Sequence, residues 1–104
     1  MMVYFNRFHL PVVRRALNYF YKIARKSFLL KPSNAIIEKI REIRELKDLF
    51  KADRELPLNW QEINLLKMGF SIYELKLENS DNQKELKMLR GCINYINSFY
   101  EAVV

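Results

Sequence analysis

Apolar residues return at intervals of three and four along most of the chain. Val13, Leu17, Phe20 or Tyr21, Ala24 and Phe28 form one series, and Ile36, Ile40, Ile43 and Phe50 a second. Ile63, Leu66, Phe70, Tyr73 and Leu77 form a third, and Leu86, Leu89, Ile93, Ile96 and Tyr100 a fourth. This is the period of a helix with one buried stripe, whereas a half-buried strand needs alternation. No run of alternating Val, Ile and Thr lies between turn dipeptides, so the predicted class is all-α.

Local signals bound the four elements. Pro11 suits the first turn of a helix running from Leu10 to about Leu30, and Lys31-Pro32 ends it, because the residue before proline is pushed out of the helical region. Ser33 or Asn34 can cap a second helix reaching about Lys51. Asn59 with Glu62 marks the start of a third, Trp60 to about Leu77. Ser80 with Gln83 has the same spacing before a fourth, Asp81 to about Ala102. Residues 1–104 then read as one helical domain, with an arm at 1–9, a three-helix core at 10–77 and a C-terminal helix at 80–104. The arm, MMVYFNRFH, has no clear period. It reads either as an extended segment packing Tyr4, Phe5 and Phe8 on a neighbour or as a loosely ordered terminus.

Charge is placed unevenly. Up to Arg54 there are 13 Lys or Arg against five Asp or Glu, and beyond it five against seven. No acid precedes Glu38, so the first helix carries Arg14, Arg15, Lys22, Arg25 and Lys26 with no carboxylate of its own. The second helix closes in REIRELKDLFKAD, Arg41 to Asp53, where Arg44 and Lys47 border an apolar seam. A solvated face ordinarily mixes signs, so these cations imply an anionic partner: an acidic protein, nucleic acid or an anionic membrane. An acid-free basic N-terminus also suits mitochondrial targeting, though the same residues read as a mature helix.

Little catalytic chemistry is on offer. One cysteine, Cys92, excludes an internal disulfide and reads as a small buried apolar residue, and His9 has no second ligand near it. The chain has no Gly-rich phosphate loop and no Ser/His/Asp set. Glu42 with Glu45 and Glu74 with Glu78 sit beside basic residues as surface ion pairs do. The expectation is a non-enzyme with no metal site, no cofactor of its own and no membrane-spanning segment. Gly69, in mid-helix between Met68 and Phe70, costs about 1 kcal/mol relative to Ala, which implies close approach of another helix or of a ligand chain.

The ordered set resembles the LYR-motif family of small mitochondrial proteins. Phe20-Tyr21-Lys22 stands where that family has Leu-Tyr-Arg, with Arg25 and Lys26 one turn on. A second register, Tyr19-Phe20-Tyr21 with Arg25 as the following cation, is also open. Lys47-Asp48-Leu49-Phe50-Lys51-Ala52-Asp53 ends the second helix as the family's basic–Phe–basic segment does, and Gly69 to Leu75 follows on the third. The resemblance covers about Val13 to Leu77. It implies a three-helix LYR-type bundle, here with a fourth C-terminal segment, acting as an adaptor in the mitochondrial matrix or on the matrix face of the inner membrane. Such an adaptor docks acyl carrier protein, whose acyl-phosphopantetheine arm enters an underfilled interior. Tyr21, Lys22, Arg25, Lys26, Arg44 and Lys47 would meet the carrier, and Phe50, Gly69 and Phe70 would line the acyl tunnel. The apolar ending Tyr95, Ile96, Phe99, Tyr100, Ala102, Val103 and Val104 suits burial against neighbours and favours a subunit of respiratory complex I. Iron–sulfur cluster assembly and mitoribosome assembly are the nearest other hosts. A small basic nucleic-acid-binding protein is the alternative class, although the sequence has no helix-turn-helix turn signature and no zinc framework.

Overall fold

The computed structural model describes residues 1–102. It contains β1 (Met2–Val3), α1 (Leu10–Leu30), α2 (Asn34–Leu49), β2 (Leu56–Pro57), α3 (Trp60–Glu78) and α4 (Gln83–Glu101). The fold is all-α in a four-helix arrangement. α1 is central, packing against α2, α3 and α4, and α4 closes over α1 and α3.

The caps explain where the helices begin. Ser33 accepts from the Ile36 amide at 3.2 Å. Asn59 and Glu62 form a reciprocal capping box, with Asn59 Oδ1 accepting at 2.8 Å and Glu62 Oε1 at 3.0 Å. The cap expected of Ser80 belongs instead to Asn82, whose side chain accepts from the Glu85 amide at 3.2 Å. The Ser80 hydroxyl donates back to the Leu77 carbonyl at 2.8 Å and so closes α3 rather than opening α4.

The arm is held on the protein's own fold. Met2 and Val3 pair antiparallel with Pro57 and Leu56, which delivers Val3 and Phe5 into the protein's own core. The Phe5 ring lies 5.8 Å from Phe50, 6.0 Å from Phe70 and 5.3 Å from Tyr95, all tilted or edge-on, the arrangement aromatic quadrupoles favour. Tyr4 and Phe8 stay exposed. Between α1 and α3, Phe20 rather than Tyr21 enters the core and covers Gly69.

α4 also packs back on its own chain. Ile96 is buried, Tyr95 accepts from the Tyr4 amide at 3.0 Å, and Tyr100 stacks on Trp60 at 5.2 Å. Tyr95, Phe99 and Tyr100 remain half-buried and Ala102 exposed, and Val103 and Val104 lie outside the described residues. Cys92 is buried on α4 beside the arm, and burial pushes its thiol up to about 12.

One polar network ties three helices together. Arg15 Nε of α1 donates to Glu85 Oε1 of α4 at 2.6 Å, and the Tyr73 hydroxyl of α3 donates to Glu85 Oε2. So α1 does have a carboxylate partner, supplied from across the fold. Glu85 is nearly buried whereas Arg15 is about half exposed. Losing one partner of a buried pair costs about 3–5 kcal/mol, and the exposure of Arg15 lets water recover part of that. Glu85→Ala is therefore expected to lower stability by about 2 kcal/mol in urea denaturation. An unchanged midpoint would show that the network contributes nothing. Burial, then the bond to Glu85, raises Tyr73 from 10.0 to about 12. The folded state thus keeps a phenol proton that the unfolded chain releases, and stability should fall as pH rises from 10.0 to about 12.

Candidate partner-binding face

α1 and α2 converge on Tyr21. Its ring carries three cations, with Lys47 Nζ 4.5 Å from the centroid and the guanidinium carbons of Arg25 and Arg44 each at 5.7 Å. Arg44 also donates to the Tyr21 hydroxyl at 2.8 Å. That hydrogen bond, with the charges of Arg44, Arg25 and Lys47, lowers the phenol below its ordinary range despite the opposing effect of desolvation. Tyr21 thus holds like charges together on a surface they would otherwise leave. Among the described residues, none of Arg25, Arg44 and Lys47 forms a salt bridge with a carboxylate.

The face continues toward the start of α1. Arg14, Leu17, Asn18, Lys47 and Lys51 line a groove of about 210 Å³ between α1 and α2. Arg14 donates to the carbonyl of Phe50 at 2.8 Å and to that of Lys51 at 2.7 Å, satisfying acceptors left free at the end of α2. Lys51 pairs with Asp48 at 2.9 Å. Lys47 borders both the groove and the Tyr21 ring, making one basic strip. The other side of α2 differs in sign: Glu42, Glu45 and Glu62 line the groove toward α3.

Of the residues the sequence nominates for a partner, Tyr21, Arg25, Arg44 and Lys47 come together. Lys22 and Lys26 do not join the cluster. Each follows a cluster residue by one position, which turns it about 100° round α1, and both are exposed on the outward side. Arg14 and Asn18 are additions. Their signal was in the spacing, since Arg14, Asn18, Tyr21 and Arg25 recur at fours and threes on one face.

The residues nominated for an acyl tunnel meet the chain's own side chains. Phe50 and Phe70 are buried and both meet Phe5. A Cβ on Gly69 would lie 2.9 Å from Phe20 Cδ2 and 3.6 Å from Leu17 Cδ2. The close approach at Gly69 is that of the chain's own phenylalanine, and the arm supplies Phe5 between Phe50 and Phe70. Among the described residues no group of His, Cys, Asp and Glu could hold a metal ion, and no helix is long and apolar enough to cross a membrane.

Comparison with known proteins finds no matching family model, no matching curated protein and no matching solved structure.

Proposed function

We propose that this protein is a non-catalytic adaptor that docks acyl carrier protein through the basic strip shared by α1 and α2. The observation that carries the reading is the cluster of Arg25, Arg44 and Lys47 on Tyr21 with no carboxylate partner among the described residues. An acidic helix laid along it would exchange water for three charge-assisted contacts, steered by the net +6 charge of the chain. Lys22 and Lys26 add to that long-range field from the adjoining side. The resemblance to LYR-motif adaptors supports the choice of an acyl carrier protein, in the mitochondrial matrix, attached to a larger assembly such as respiratory complex I. Phe20 and Phe5 occupy the interior, so docking rests on the carrier's acidic surface rather than on its acyl chain.

Titration calorimetry with acyl carrier protein, with and without an attached long acyl chain, tests the reading. The protein is expected to bind both forms, and more weakly as salt rises. Arg25→Glu, Arg44→Glu and Lys47→Glu together should weaken binding by about 100-fold or more, since like charges facing each other cost several kcal/mol. Helicity by circular dichroism should hold, because the reversed groups are not in the core. No affinity of the wild-type protein for either form overturns the adaptor reading. A salt-dependent mobility shift with duplex DNA in its place would favour phosphate binding instead.

A further inference from the structure

The far end of the α1–α2 hairpin is left uncovered. Between Arg25 and Lys39 no residue is buried, so this tip stands clear of the core, which α2 rejoins at Ile40. It nevertheless carries the most exposed large apolar side chains among the described residues, Leu29 at 78% and Leu30 at 88%, with Ile37 exposed in the first turn of α2. Spacing puts Lys22 and Lys26 on the stripe that leads to both leucines, at intervals of three and four. Lys31 follows directly. None of these three lysines has a carboxylate partner among the described residues, whereas the acids of the tip, Glu38 and Glu42, are engaged by Arg41 at 3.0 Å and Lys39 at 3.7 Å.

We propose that this tip docks on an anionic membrane surface, with Leu29 and Leu30 in the interfacial region and Lys22, Lys26 and Lys31 at the headgroups. Charge complementarity selects the sign of the partner: the free charges here are all positive. Size selects its kind. A stable protein interface takes about 800 Å² from each side, well beyond a pair of leucines and their lysine collar on a convex hairpin end. A bilayer needs no complementary pocket, and it rewards a small apolar wedge ringed by cations with reversible binding. The inference stands apart from the carrier reading in its two leucines, which the carrier strip does not use, while Lys22 and Lys26 lend their charge to both.

Flotation of the full chain with phosphatidylcholine vesicles, and with vesicles of phosphatidylcholine and phosphatidylglycerol, tests it. Binding is expected to the anionic vesicles, to be lost on the neutral ones and to weaken with salt. Leu29→Ala with Leu30→Ala should lower partitioning by about tenfold or more, and Lys22→Glu with Lys26→Glu should abolish it. Alanine is the stronger helix former and both leucines are exposed, so the first pair keeps the fold, which circular dichroism checks. Affinity for acyl carrier protein should survive the leucine pair. Equal binding to both vesicle types, or leucine variants that bind as the wild type does, overturns the proposal. So does a concentration-dependent dimer that the leucine pair dissolves while anionic vesicles capture nothing.

Discussion

Phe70→Ala should cost about 3–5 kcal/mol of unfolding free energy. The side chain is fully buried at the centre of α3, with Phe5 edge-on against it. Phe5 cannot follow the receding side chain, because it is held by the pairing of Met2 and Val3 with β2. A cavity therefore remains, and its cost adds to the lost transfer energy. A domain of this length has a total stability of about 5–15 kcal/mol, so the variant should sit near its unfolding threshold at room temperature. Urea denaturation followed by circular dichroism reads the shift. Phe8→Ala, at an exposed position, is the control and should leave the midpoint unchanged. Equal midpoints for the two variants would mean that the arm does not complete the core as described.

The second large effect concerns the contact of α1 with α3. Gly69→Ala would gain about 1 kcal/mol of helix propensity if the site were open. It is closed: the new methyl would lie 2.9 Å from Phe20 Cδ2, a distance that forces something to move. What must move is a rigid, buried ring rather than the end of a flexible chain. Overpacking of this kind costs about 1–3 kcal/mol, so Gly69→Ala should be net destabilising and Gly69→Val should lose about 3 kcal/mol or more. Compensation distinguishes steric crowding from an effect on α3 alone. Phe20→Leu and Gly69→Ala should each destabilise singly yet recover part of the loss together, a coupling that a double-mutant cycle measures. Strict additivity would remove Phe20 as the cause.

Much of the architecture was legible because its signals are local. The span of α1, the capping box at Asn59 and the apolar stripe of α3 each depend on residues within a few positions of one another. What escaped the sequence depends on distance along the chain. Two-residue strands carry too little alternation to be seen, so the pairing of Met2–Val3 with Leu56–Pro57, and with it the inward course of Phe5, had no signature. Arg15 looked uncompensated because its carboxylate is 70 residues away. Ser80 and Asn82 both offer a capping side chain, and only the path of the backbone out of α3 decides between them. The basic strip was half legible: periodicity aligns Arg14, Tyr21 and Arg25, but no one-dimensional pattern shows that Lys47 and Arg44 of α2 lie over the same ring. Lys22 and Lys26 were grouped with that strip because adjacency in sequence hides a change of helix face.

The seclusion of Cys92 gives the molecule an internal reporter of opening. A thiol held near 12 presents almost no thiolate at neutral pH, and alkylating or disulfide reagents react with the thiolate. Its reaction should therefore be slow in the folded protein and faster when α4 and the arm part from each other. The labelling rate of this one atom then reports how large a fraction of the molecules has the two apart, with no dye or tag added to the chain.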